Sequence, residues 1–464
     1  MITPFATVDM SLPRSIIPLV LTLAPIAAGC KCPSACCIPA TPQAPCVYDL
    51  AIPDASPPDL MRLVPDCAET PCDLSPLPTS DETYRLLEAA ECQCNAAANS
   101  NGANMVELER HWAQVVIECD SKYVARNLCM NRDLLSLHAV DLRNKAAASA
   151  MEAYYQLAAL EARSHYLDLG IAETRQTLKR LEQIEQSSLP ADQRLDTAEV
   201  ARRLHELEDN QLQLRFLRVQ LNGQLQKLLG CPLDETQFFW PNVDWTPNLQ
   251  PVDVPAELAE GLATRVDMRG IELVRCNLDR TTLRVARGVL QISDSTVGSV
   301  EPTEGLIHLI RCARCSEHEL GVRCRQLAML QADTMLLAEA DIKSAAYEIT
   351  LQQQRVVLAR EAVAQRRERL YELRAKVGVE EATVFDVSQA AGRLYEAEST
   401  LIQQVTALKI AEVRLRRSTG ALALECGFTP ILCTPGCCNG PCMRCDWPTC
   451  RCPQSACGRC SCLK

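Results

Sequence analysis

Residues 386–420 read DVSQAAGRLYEAESTLIQQVTALKIAEVRLRRSTG, and residues 196–230 read DTAEVARRLHELEDNQLQLRFLRVQLNGQLQKLLG. In register, Asp386, Arg393, Leu394, Glu396, Glu398, Leu415 and Gly420 repeat Asp196, Arg203, Leu204, Glu206, Glu208, Leu225 and Gly230 at an offset of 190. The stretches ahead of them match at 192, with Ala345, Tyr347 and Arg355 against Ala153, Tyr155 and Arg163. The two-residue difference falls in the turn between the arms. An internal duplication on this scale builds a symmetric object from two similar units.

Working outward, Met335, Ile342, Ile349, Val356, Val363, Leu370 and Val377 recur every seven residues on the way to the second turn. Val387, Leu394, Leu401, Leu408 and Leu415 do so on the way back. The first hairpin alternates steps of three and four, from Leu157 through Ile171 to Leu181 and from Leu204 through Leu214 and Arg218 to Leu228. That spacing holds a seam on one side of a slightly underwound helix, the coiled-coil condition. The reading is mainly α: two tandem long antiparallel coiled-coil hairpins.

Composition agrees. Across 464 residues only 4% are aromatic and 18 are Gly, which suits helices packed by Leu, Val, Ile and Ala. A net charge of −11, with no basic cluster interleaved with aromatics, argues against nucleic acid as a partner. The six His show no ligand spacing, and neither an HExxH motif nor a phosphate loop is present, so no cofactor and no enzymatic activity are expected.

Arg14, the apolar stretch Ile16 to Ala28 and the small residues before Cys30 read as a signal peptide over residues 1–29. Ala27-Ala28-Gly29-Cys30 is similar to a bacterial lipobox, which makes Cys30 a lipidation candidate; the alternative is a plain cleaved signal with Cys30 as one more thiol. Nine of the 27 Cys lie between Cys30 and Cys94 and eleven between Cys426 and Cys462, a usage that suits an oxidising compartment. Residues 30–78 form a Cys- and Pro-rich tether, 79–250 the first hairpin repeat, 251–425 the second, and 426–464 a Cys-rich tail.

Between these landmarks, Glu82 onward reads as a first helix capped by Ser80 or Asp81. Phe238, Phe239, Trp240 and Trp245 mark a loop, and Pro255 opens a helix that runs toward Leu290. Val289 to Ile292 and Leu306 to Cys312 are the β-like stretches.

The duplicated hairpin, the segment Phe385 to Ala390 with an arm ending in Ser418-Thr419-Gly420-Ala421-Leu422, the parallel ending Leu228-Leu229-Gly230-Cys231-Pro232, and Ala263-Thr264-Arg265-Val266-Asp267-Met268 resemble the TolC family of outer-membrane efflux channels over residues 80–425. The resemblance implies a TolC-like α-barrel protomer. Three such protomers close a hollow periplasmic cylinder, and four strands from each form an outer-membrane barrel. It further implies a homotrimer that passively conducts small molecules from an inner-membrane pump through a periplasmic adaptor protein, lipid-anchored at the outer membrane. By the same resemblance the adaptor-docking turns are Pro190, Arg194, Leu195 and Asp196, and Val377, Gly378, Val379 and Asp386. Asp192, Asp196, Glu380, Glu381 and Asp386 either ring the pore mouth or, for Asp196 and Asp386, cap the descending helices.

The sequence departs from the family where the membrane strands belong. Each needs about 9 to 11 alternating residues, whereas Gly102 to Ala148 is helix-like and Arg311 to Cys315 is charged and Cys-rich, so short or reduced strands are expected. The tail pairs Cys442 with Cys445 and Cys457 with Cys460 at a chelating spacing, although disulfides are the commoner use of such thiols outside a reducing cytosol. The competing function is an envelope structural coiled-coil protein crosslinked through its Cys-rich termini, without channel activity.

Overall fold

The computed structural model describes residues 83–119, 125–185, 197–231, 237–300, 308–377 and 383–432. The order is β1 (Thr83–Glu88), α1 (Ala89–Ala98), α2 (Asn101–Cys119), α3 (Ala125–Glu185), α4 (Thr197–Leu229), β2 (Gln237–Asn242), α5 (Val254–Thr264), α6 (Val266–Cys276), α7 (Leu283–Ser293), α8 (His308–Val377), α9 (Val384–Thr419) and α10 (Ala421–Glu425). The pairs α3–α4 and α8–α9 are the two hairpins. At about 1.5 Å per residue, the 61 residues of α3 and the 70 of α8 run on the order of 90 to 105 Å.

The second seam follows its heptads. Ile342, Ile349, Val356, Val363 and Leu370 are buried with Leu394, Leu401, Leu408 and Leu415. Met335, the first residue of the series, is 41% exposed and lies outside the seam. The first seam is looser: Leu157, Ile171, Leu181, Leu214 and Leu225 are buried, while Leu204, Leu207 and Leu221 are only half-buried. Part of the α3 surface is committed elsewhere, and Ala147, Ala148, Ala150 and Ala153 are all at most 1% exposed. Small side chains suit a helix packed on several faces, here against α1, α9 and α10 as well as α4.

Both descending arms end on the matched glycines, Gly230 at φ 70° and Gly420 at φ 80°, a left-handed turn that a Cβ would strain. Each preceding carbonyl finds a side-chain donor: Asn99 Nδ2 donates to Leu229 O at 2.7 Å, and Thr264 Oγ1 to Thr419 O at 2.6 Å. The duplication therefore extends to how the arms stop. Pro255 lies in the first turn of α5, whose N-cap Asp253 accepts from the Ala256 amide.

Three local readings are corrected. Thr83 to Glu88 is a strand rather than the start of a helix, and it pairs in parallel with β2 inside the stretch read as a loop, from Thr83 opposite Gln237 to Glu88 opposite Asn242. The partner lies some 150 residues downstream, so local pattern could not reveal it. Pro241 is accommodated because a two-stranded sheet leaves an edge free of ladder bonds. The helix from Pro255 does not run on to Leu290. It breaks at Arg265, which is extended at φ −56° and ψ 124°, and again at a turn where Asp279 Oδ1 accepts from the Thr281 and Thr282 amides. Lastly, Val289 to Ile292, expected as β-like, belongs to α7, and of the second such stretch residues 308–312 open α8 while 306 and 307 lie outside the described residues.

No barrel strand occurs among the described residues. The connection between α2 and α3 is residues 120–124, shorter than one membrane strand; that between α7 and α8 is residues 294–307, too short for two strands of about 9 to 11 residues and a turn. No described helix is long and apolar enough to cross a membrane. A disulfide joins Cys94 of α1 to Cys426 at the end of α10, with a Cα–Cα distance of 5.3 Å, and so ties the first Cys-rich region to the second.

Candidate conduit wall and hairpin ends

α3 packs on α4 at one side and on α9 at the other, and α9 packs on α8. The arms thus stand in the order α4, α3, α9, α8. Each hairpin is clasped by the same ion pair, Arg175 with Glu208 at 2.6 Å and Arg367 with Glu398 at 3.4 Å. The two offsets convert the first pair into the second. Environment then separates them: the Arg175 guanidinium holds the exposed Glu208 carboxyl below its usual range, while burial pushes Glu398 up despite Arg367.

Between the hairpins, Ala159, Ala162 and Ile402 form a buried cluster with Tyr166 against it. Arg163 Nε donates to Ser399 Oγ at 3.3 Å, and Arg414 bridges Glu348 at 2.7 Å and Glu152 at 3.5 Å. The outer helices carry apolar side chains away from these seams. On α4, Leu212, Phe216 and Val219 are exposed; on α8, Leu336, Tyr347, Leu351 and Leu358 are. At about 100° per residue, both sets fall opposite their own seam. Sequence reasoning did not find these stripes, although applying the two offsets to every seam residue would have marked them.

The structure reaches only part of the turns expected to dock an adaptor. Pro190, Arg194, Leu195, Asp196, Gly378 and Val379 lie outside the described residues, as do Cys30 and the tail thiols Cys442, Cys445, Cys457 and Cys460. Val377 is the last residue of α8. Asp386 is the N3 residue of α9 in a capping box: its carboxylate accepts from the Thr383 amide at 2.9 Å, and its own amide donates to Thr383 Oγ1 at 3.1 Å. The Thr383 hydroxyl and amide hold this carboxyl below the ordinary range. The cap is therefore in force above the unfolded-state pKa of about 3.9 and is lost as pH falls through the lower folded value. Thr383→Ala is expected to cost about 1 kcal/mol and to speed amide exchange over residues 384–387, read by hydrogen-exchange mass spectrometry at neutral pH.

Behind that cap, Arg366, Arg369 and Arg393 line a recess of about 110 Å³ with Asp386 and Gln389, so this end carries basic as well as acidic groups. Cys312, Cys315 and His318 lie within α8. Among the described residues no group of three or more His, Cys, Asp or Glu is placed to hold a metal ion.

No protein-family model matches the sequence, and no curated protein matches it. Solved structures do. The outer-membrane channel OprN matches over 80% of this chain and 98% of its own at 14% identity and a TM-score of 0.53. CusC, described in connection with transmembrane channel formation, matches over 71% and 91% at 12% identity and a TM-score of 0.54. The Campylobacter jejuni CmeC outer-membrane channel matches over 72% and 85% at 8% identity and a TM-score of 0.52. All three are described as channels, and what the likeness shows is a shared fold. The fold of the chain is that of the TolC-like outer-membrane channels.

Proposed function

We propose that the chain is the outer component of a tripartite efflux system, a passive homotrimeric conduit for small molecules supplied by an inner-membrane pump through a periplasmic adaptor. The observation that carries the reading is the row α4, α3, α9, α8 with an apolar stripe that is exposed at each edge among the described residues. Two unlike edges that fit each other make a head-to-tail contact, and such contacts close into rings. In this reading Cys30 carries the lipid that holds the assembly at the outer membrane. Pro190, Arg194, Leu195, Asp196, Val377, Gly378, Val379 and Asp386 form the ends that meet the adaptor, with the Arg366, Arg369 and Arg393 recess beside them.

The short connections 120–124 and 294–307 favour a second reading, an envelope scaffold without transport. Ethidium retention in a deletion strain separates the two. The conduit reading expects retention to rise several-fold and to return to normal with the full-length gene. Unchanged retention combined with leakage of periplasmic protein would establish the scaffold. For the purified protein a trimeric mass is expected, and a monomeric mass sinks the conduit.

A further inference from the structure

A groove of about 460 Å³ opens at the end of α9, lined by α3, by α8 and by the break at Arg265. Four acidic and four basic side chains line it. Three close pairs account for six of them: Lys145 with Asp141 at 2.6 Å, Arg265 with Asp267 at 2.7 Å, and Arg414 with Glu348 at 2.7 Å. One charge of each sign is left over. Arg417 of α9 is exposed and makes no ion pair among the described residues. Asp341 of α8 is 60% exposed, and its contact of 3.4 Å is to an Arg265 guanidinium that both carboxylate oxygens of Asp267 already hold.

The duplication separates what the arm end needs from what this groove adds. At the end of α4 the two offsets place Ser149 where Asp341 stands, Gln156 where Glu348 stands and Gln224 where Arg414 stands; Lys227 keeps the charge of Arg417. That arm nevertheless stops on the same left-handed glycine, with Asn99 serving its last carbonyl. Asp341, Glu348 and Arg414 are therefore additions to the second end rather than parts of the stop. The groove also holds a buried polar atom that the fold leaves unanswered. Asn144, 5% exposed, donates from Nδ2 to the Arg417 carbonyl at 3.0 Å, while its Oδ1 has no hydrogen-bond partner.

We propose that this groove binds a zwitterionic small molecule, whose carboxylate pairs with Arg417 and whose ammonium group pairs with Asp341. The site lies within one chain and does not depend on the conduit reading. Its volume falls within the range of about 300 to 1,000 Å³ usual for small-molecule sites. Charge decides the class of ligand. A simple anion answers Arg417 and is repelled by Asp341, a simple cation does the reverse, and a molecule carrying both groups satisfies each wall. The planar fork of Arg417 suits a carboxylate. An ammonium group has three protons to donate, which Asp341 and the exposed Ser344 hydroxyl beside it in the lining can accept. Asn144 Oδ1 remains as an acceptor for a further N–H.

The test is saturation-transfer NMR on the full-length protein with 6-aminohexanoate, and with hexanoate and hexylamine as single-charge controls. Binding of 6-aminohexanoate in the millimolar range is expected, with each control weaker by about tenfold or more. Asp341→Asn and Arg417→Gln change exposed side chains, and circular dichroism checks that both variants fold. Each is expected to weaken 6-aminohexanoate by about tenfold, whereas Asp341→Asn leaves hexanoate, and Arg417→Gln leaves hexylamine, no weaker than in the parent protein. Equal affinity for 6-aminohexanoate and either control overturns the zwitterion. Full affinity in either variant overturns the groove as its site, and the absence of saturation transfer from 6-aminohexanoate overturns both.

Discussion

Arg218→Ala is expected to destabilise the first hairpin by about 3 to 5 kcal/mol, the loss typical of removing one partner from a buried ion pair. Arg218 Nε lies 2.9 Å from Glu161 Oε1, with the two side chains 15% and 6% exposed. The guanidinium also sits over the rings of Tyr84 and Phe238, 4.9 and 4.4 Å from their centroids, and donates to the Tyr84 hydroxyl. One side chain thus joins α4 to α3 and to both strands. Its deletion strands a buried carboxylate and uncovers aromatic surface together. Differential scanning calorimetry at neutral pH reads the loss; a change below about 1 kcal/mol contradicts the buried-pair account. The duplication supplies the control. The counterparts of Arg218 and Glu161 are Leu408 and Gln353, and Leu408 is fully buried. The double change Arg218→Leu with Glu161→Gln removes both charges of the buried pair and is expected to recover part of the lost stability.

The second large effect is expected at the disulfide. Cys94 and Cys426 are 332 residues apart, and bridging a loop of that length restricts the unfolded chain strongly. Replacing both by Ala is expected to cost about 2 to 4 kcal/mol in the full-length protein, seen as a lower denaturation midpoint in urea. The double substitution is preferable to a reductant because Cys276 and Cys324 are also engaged in disulfides. Cys92 lies two residues from the bridge, but burial pushes its thiol far up, which keeps it protonated and poor at exchange. Mass mapping is therefore expected to find no Cys92–Cys426 isomer. Local packing survives the change in part, since Gln93 Nε2 donates to Leu422 O at 2.9 Å and to Glu425 at 2.8 Å.

The hairpins were legible because a coiled coil writes its partner into a local period: Ile342 to Leu370 and Leu394 to Leu415 meet as their heptads say. The glycine ends were legible for a similar reason, since a left-handed turn selects one residue type. β1 was not, because Thr83 to Glu88 becomes a strand only through Phe238, Phe239 and Trp240 far downstream, and tertiary pairing overrides a weak local preference. Seam position 218 looked like a flaw in the period. Its Arg is explained by the strands and Glu161, which no spacing rule contains. The lateral stripes were hidden differently: each outer side chain reads as an ordinary surface residue until the duplication is applied to it.

The bridge also sets a load path. Both hairpins lie inside the covalent loop closed by Cys94 and Cys426. A pull applied between the leader that precedes Cys94 and the tail that follows Cys426 crosses from one to the other through two sulfur atoms, and the helices between them bear no tension. In a force-extension experiment the oxidised chain would lengthen only by its two end segments. The reduced chain would add the full contour of residues 94–426. Whatever tugs on the two ends, the pair of hairpins inside the bridged loop is mechanically bypassed.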